Sequence, residues 1–132
     1  MSEPEVVDYL TLDDLLFVTE AVTGRGDMVA DPGLLAAAAL RPQATVFGED
    51  AYVGLSAKAA ALLHSLVTSH PLVDGNKRLG AAGMLLFYDL NGYDITATDD
   101  ELFDLIVAVA DGSLRDVAEI AARLRQWETP RS

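Results

Sequence analysis

The sequence predicts one all-α domain of about six helices, interrupted by a single short extended segment. Apolar residues recur at helical spacing along most of the chain, and turn residues separate the periodic segments. Only residues 43–48 favour strand geometry, and one short strand cannot build a sheet core. The chain has 132 residues without a repeat, low-complexity tract or interdomain linker, and that length is one ordinary domain.

The first two helices are predicted from their start and stop signals. We expect residues 1–10 to be a loose lead-in. The first helix is expected to begin at Thr11, whose hydroxyl precedes acidic residues in the first turn, and to end at Gly24. A second helix is expected to begin at Asp31, because the proline that follows suits the first turn of a helix.

The extended segment lies within residues 41–50. An Arg-Pro pair ends the second helix, and Thr45, Val46 and Phe47 then favour an extended backbone. These residues alone are equally consistent with a surface loop and with a β-hairpin.

Two buried helices are predicted in the centre of the chain. Residues 56–69 are apolar on almost every face, which indicates a helix in the middle of the domain. His64 lies on this helix and is expected to be a packing residue without a functional role. The next helix carries a Gly-Ala-Ala-Gly segment at 80–83 that would allow a neighbour to approach closely, and it ends at Asn91 and Gly92.

Two further helices complete the chain. Thr98 and Glu101 have the spacing of a capping box, and the helix that they open is expected to end at Asp111. Ser113 and Asp116 have a similar spacing, and Ser113 is expected to begin the last helix.

Composition restricts the classes of partner. Acidic residues outnumber basic residues by 21 to 9, so the net charge of −12 argues against direct nucleic-acid binding. No apolar run approaches the roughly 20 residues that span a bilayer, the N-terminus has no signal-peptide pattern, and the chain has no cysteine. We expect a cytoplasmic protein that does not bind membranes.

The residues suited to chemistry are concentrated in one stretch, HPLVDGNKR at 70–78. Lys77 and Arg78 fall at a predicted helix start, where acidic residues are normally preferred. An anion such as phosphate would make this arrangement favourable, since helix N–H groups and both cations would face it. A polyphosphate brings Mg²⁺, which Asp74 could hold, and His70 would be left to act as a base. The alternative is a simple interhelical loop whose polar residues cap the next helix.

This stretch resembles the signature of the Fic/Doc family. The signature is His-Pro-Phe-x-Asp/Glu-Gly-Asn-Gly-Arg in the Fic branch and His-x-Phe-x-Asp-Ala-Asn-Lys-Arg in the Doc (death-on-curing) branch. Leu72 replaces the usual phenylalanine, Gly75 matches the Fic branch and Lys77 matches the Doc branch. The likeness extends back to Arg41 and forward to Tyr93.

The resemblance implies that residues 1–132 form one Fic-fold domain whose hairpin flap holds an extended segment of a protein target. It also implies roles for the motif, with ATP and Mg²⁺ as cofactors. His70 would be the catalytic base and Asp74 the magnesium ligand. The nucleotide would be bound by four residues, which form an anion hole and balance the phosphate charge: Gly75, Asn76, Lys77 and Arg78.

Lys77 favours the Doc branch, which transfers the γ-phosphate of ATP to a threonine of elongation factor Tu and arrests translation. This branch implies a toxin held inactive by a small antitoxin protein. Two alternatives stay open. The first is a Fic-type transfer of AMP to a protein hydroxyl, and the second is a catalytically silent binding module.

Overall fold

The structure is a computed structural model that describes residues 6–131. The described chain contains six α-helices, two 3-10 turns and two small antiparallel sheets. The helices are α1 (Leu12–Thr23), α2 (Pro32–Leu40), α3 (Leu55–Thr68), α4 (Asn76–Leu90), α5 (Asp99–Ala110) and α6 (Val117–Arg125). The strands are β1 (Thr45–Val46), β2 (Glu49–Asp50), β3 (Tyr93–Ile95) and β4 (Glu128–Pro130). The predicted all-α class with a short hairpin is confirmed.

Helix α3 is the centre of the domain. It contacts α2, α4, α5 and α6, and most of its residues are buried, as its continuous apolar character predicts. Its closest neighbour is α4. A Cβ added to Gly80 of α4 would lie 2.5 Å from Val67 Cγ2 of α3, so only glycine allows this approach. The predicted close packing at 80–83 is confirmed.

Most predicted helix starts are confirmed by the hydrogen bonds that cap them. Thr11 and Thr98 each form a reciprocal capping box, and Asp31 caps α2. The predicted start of the last helix at Ser113 was wrong. The Ser113 side chain and backbone N–H instead bond to Asp111 in a turn, and Asp116 caps α6 by accepting from Ala118 N at 2.9 Å.

The extended segment is a two-stranded hairpin rather than a surface loop. Its turn residues, Phe47 and Gly48, have φ angles of 51° and 79°. Two positive φ angles are typical of the tight turn whose twist matches paired strands. The hairpin is shorter than the predicted range 41–50, because Arg41–Gln43 forms a 3-10 turn that continues from α2.

Two further features differ from the sequence prediction. Strands β3 and β4 pair with each other, although neither was expected. The lead-in is packed where the structure describes it: Leu10 is buried in the core and the Tyr9 ring stacks on Phe87 with centroids 6.3 Å apart. Residues 1–5 of the predicted lead-in lie outside the described residues. Among the described helices, none is long and apolar enough to cross a membrane.

Candidate active site

The connection between α3 and α4 forms one wall of an open cleft of about 440 Å³. All six residues singled out in the motif line this cleft, together with apolar residues from α3, the loop and α5. The lining is Val67, His70, Val73, Asp74, Gly75, Asn76, Lys77, Arg78 and Ala110.

The loop is fixed by backbone contacts with the segment between α1 and α2. Leu72 forms an isolated antiparallel bridge with Val29, and Val73 N donates to Met28 O at 2.8 Å. The Leu72 side chain is buried, so it serves as the apolar anchor under the loop. The cleft wall is therefore fixed by the packing of Leu72 in the core and by backbone contacts with the segment between α1 and α2.

Asn76 closes the loop onto itself. Its Oδ1 accepts from Leu72 N at 2.9 Å, and its Nδ2 donates to Leu72 O at 3.1 Å. An amide group has two N–H hydrogens, and this contact uses one of them. Asn76 thus shapes the loop and keeps one donor for the cleft that it lines.

Gly75 immediately precedes α4. Its φ of 91° is left-handed, and no side chain caps the helix there. Helix α3, which follows Gly54, also lacks a side-chain cap, whereas α1, α2, α5 and α6 each have one. The first N–H groups of a helix have no partner within the helix. A Cβ at Gly75 would also lie 3.1 Å from Thr23 Cγ2. Glycine therefore allows an uncapped helix start to face the cleft.

Two exposed cations lie on the first turn of α4. Arg78 reaches back to α1, where its Nη1 donates to Val22 O at 3.3 Å, a contact that uses one of its five N–H groups. Lys77 lines both the cleft and a neighbouring apolar cavity of about 290 Å³ between α4 and α5. The positive charges of Lys77 and Arg78 therefore lie at the positive end of the α4 dipole.

His70 and Asp74 are exposed at the cleft. His70 has a φ of 56°, a left-handed conformation that is uncommon for a residue with a side chain. Asp74 Oδ1 accepts from Gly75 N at 2.9 Å. The arrangement brings an imidazole, a carboxylate and an uncapped, basic helix start to one solvent-accessible space.

A sequence model of the Fic/DOC family matches residues 9–88, which include the hairpin, α3 and the whole cleft motif. The chain belongs to the Fic/DOC family. It is also 45% identical over 121 residues to a curated protein of Mycolicibacterium smegmatis (strain ATCC 700084 / mc(2)155) named Toxin Doc. That alignment covers 90% of this chain and 92% of the relative.

The cleft of this Fic/DOC chain contains the exposed carboxylate of Asp74, beside Lys77 and Arg78. Among residues 6–131, no group of three or more His, Cys, Asp or Glu side chains could enclose a metal ion. Magnesium is usually held by one or two carboxylates, with phosphate oxygens and water completing its coordination. Asp74, beside the basic helix start, fits that description.

The sequence prediction missed a polar network on α3 of the Fic/DOC domain. His64, expected only to pack, has its Nδ1 2.9 Å from Arg41 Nη1. Partial burial lowers the pKa of His64, and the positive charge of Arg41 lowers it further. Lys58, on the same helix, is buried and bonds to the hairpin segment. A single lysine within a largely apolar helix was the available signal.

Proposed function

We propose that this Fic/DOC chain is a Doc-like toxin of a toxin–antitoxin module and transfers the γ-phosphate of ATP to a Ser or Thr hydroxyl of another protein. The observation that carries the proposal is the uncapped, basic start of α4, which shares one cleft with His70 and Asp74. The 45% identity to a protein named Toxin Doc, over most of both chains, supports the toxin role.

The start of α4 would bind the phosphates of ATP. Its first N–H groups and the Asn76 amide donate to phosphate oxygens, while Lys77 and Arg78 balance the negative charge. Asp74 would hold Mg²⁺, which when bound would neutralise part of the phosphate charge. Positioning and electrostatic stabilisation are the main contributions of a protein to phosphoryl transfer.

His70 would act as the general base. It takes the proton of the target hydroxyl while that oxygen forms a bond to the γ-phosphorus. The bond between this phosphorus and the β–γ bridging oxygen breaks, and ADP leaves with the electron pair. The proton on the imidazole then passes to water. General-base catalysis of this kind contributes about 10²–10⁴-fold to the rate.

The hairpin would hold the protein target. Its residues are exposed, and the tip carries the apolar side chains of Val46 and Phe47. A short strand with free backbone groups can pair with an extended segment of a partner, and side chains near it then select the sequence. Elongation factor Tu is the target that the family resemblance implies, with arrest of translation as the result and a small antitoxin as the inhibitor.

The test is a labelling reaction with purified protein, Mg²⁺, elongation factor Tu and ATP labelled at either the α or the γ phosphate. We expect label from the γ position alone. His70→Ala is expected to lower the rate about 10²–10⁴-fold. Lys77→Ala is expected to lower it as well, whereas Arg123→Ala, which removes an exposed cation from α6, leaves it unchanged.

The other outcomes separate the alternatives. Label from the α position would identify transfer of AMP and contradict the assignment of Lys77 to phosphate transfer. The absence of label from either position, with the same result for the His70→Ala variant, would favour a binding module without catalysis.

A further inference from the structure

The hairpin is tied to α3 by a buried lysine. Lys58 is 3% exposed. Among residues 6–131 it is the only buried residue whose side chain is charged. Its Nζ lies 3.0 Å from Asp50 Oδ2, 2.8 Å from Tyr52 O and 3.4 Å from Pro42 O. It also lies over the Tyr9 ring, 5.7 Å from the centroid.

The partners of Lys58 explain why a charge is tolerated there. An ammonium group has three hydrogens, and a buried one is costly unless each has an acceptor. All three oxygen acceptors belong to residues 42–52, the hairpin and its two flanks. Lys58 therefore joins the hairpin segment to α3 and makes none of these bonds within its own helix.

Arg41 holds the same segment from its other end. Its Nε donates to the Tyr52 hydroxyl at 2.9 Å, and its Nη1 donates to Ser65 Oγ at 2.9 Å and to Ala61 O at 3.3 Å. Tyr52 is thus bound through its backbone carbonyl by Lys58 and through its hydroxyl by Arg41. The hairpin segment is therefore attached to α3 at two places, at Lys58 and, further along the helix, at Ala61 and Ser65.

We propose that Lys58 is a positioning residue that sets the location of the hairpin relative to His70. Lys58 lies near the start of α3 and His70 follows two residues after its end, so the helix is a rigid spacer between them. The inference rests on the proposed function, in which the hairpin presents a protein target to the cleft. Loss of the Lys58 contacts would then impair target binding and leave ATP binding intact.

The first test measures hydrogen exchange of the backbone amides of residues 44–52. We expect Lys58→Met to accelerate this exchange about tenfold or more, the factor that loss of a hydrogen bond to a charged group predicts. Asp50→Ala, which removes only the exposed partner, is expected to give an increase of about threefold. The matched control is Asp94→Ala, which removes an exposed carboxylate from its pair with Arg131 and leaves the hairpin amides unchanged.

The second test separates positioning from general stability. We expect Lys58→Met to raise KM for the protein target about tenfold, with KM for ATP unchanged. Combining Lys58→Met with Asp50→Ala should add nothing further to the exchange rate, because both changes break the same contact.

Several results would overturn the inference. Unchanged hairpin exchange in Lys58→Met would show that Lys58 does not fix the segment, and an equal rise in both KM values would show a general structural effect. If Lys58→Met does not fold, unchanged exchange in Asp50→Ala overturns the inference by itself. If the parent protein labels no target, the proposed function fails, while the exchange data still decide whether Lys58 fixes the hairpin.

Discussion

His70, the proposed general base, also has an uncommon backbone conformation. Its left-handed φ of 56° is held by the loop around it, because Leu72 is fixed both by Asn76 and by its bridge to Val29. Residues in such conformations cost about 1–3 kcal/mol and persist where the surrounding structure imposes them. The motif therefore carries backbone strain at the position of the proposed base.

This strain predicts an order of stability among substitutions at one position. His70→Gly should unfold with a free energy about 0.5–1 kcal/mol higher than His70→Ala, since glycine adopts positive φ without a steric penalty. Both variants should lose transfer activity. Urea denaturation of the two variants measures the difference.

Ser69 provides the matched control for this comparison. Its φ is −86°, so Ser69→Gly should be less stable than Ser69→Ala. If glycine were the less stable choice at both positions, His70 would not be strained.

At the scale of elements, the contact between α3 and α4 determines how the cleft is built. The loop that carries the motif leaves one of these helices and enters the other. Gly80 permits their close approach because Val67 Cγ2 occupies the space of a Cβ. Val67 also lines the cleft, so the packing of the helices and the shape of the site share a residue.

Gly80→Ala is predicted to destabilise the domain even though alanine is the better helix former. The gain in helix propensity is about 1 kcal/mol, while forcing an extra carbon into a packed interface costs about 1–3 kcal/mol. We expect a net loss of up to about 2 kcal/mol, measured by thermal or urea unfolding.

Val67→Ala should relieve this clash. In the Val67→Ala background, Gly80→Ala should cost less than in the parent chain or become stabilising, which gives a strong coupling between the two sites. Additive effects would mean that the two residues do not compete for the same space.

The elements that the sequence predicted well are those specified by nearby residues. The caps at Thr11, Asp31 and Thr98 are contacts within one helical turn, and the cleft motif is contiguous. Ser113 illustrates the limit of such local signals, because its spacing to Asp116 predicted a cap at Ser113 that the structure does not have. Ser113 instead bonds to Asp111 in a turn, and Asp116 caps α6.

The features that the sequence did not predict depend on distant partners. Strands β3 and β4 are three residues each and are stable only when paired across the domain. His64 contacts Arg41, which is 23 residues away in the sequence, and no periodic pattern in the sequence predicts this contact. The same holds for Lys58, whose neighbours in sequence indicated an apolar position.

At the scale of the whole molecule, charge is distributed in an unusual way. The net charge is −12, yet the cleft wall carries Lys77 and Arg78 side by side. A strongly acidic protein repels anions in general, so binding of a polyphosphate would rely on this local basic site.

The stability of the molecule is predicted to depend on pH through His64. Its pKa in the folded protein is lowered by burial and by Arg41, whereas the unfolded chain has the ordinary value of about 6.5. As the pH falls from about 7.5 through about 6.5, the unfolded state takes up this proton before the folded state does. The free energy of unfolding should therefore fall, and the loss should level off below the folded pKa.

His64→Gln is the control for this dependence, because glutamine can face Arg41 without titrating. Urea unfolding of both chains from pH 7.5 to 5.5 should show that the free energy of unfolding falls more steeply in the parent than in His64→Gln. Subtracting the two free energies removes the contributions of groups that titrate in both chains. Parallel curves would show that His64 has the same pKa in the folded and unfolded states.

The attachment of the hairpin to α3 has a consequence for how such a protein could acquire new targets. The residues that hold the hairpin are at its base, whereas Thr45, Val46 and Phe47 are exposed and take no part in those bonds. Under the proposed function, substitutions at the tip would change which proteins are recognised without altering the fold or the reaction. A library randomised at these three positions would therefore explore target choice at little risk to folding, and natural divergence could follow the same route.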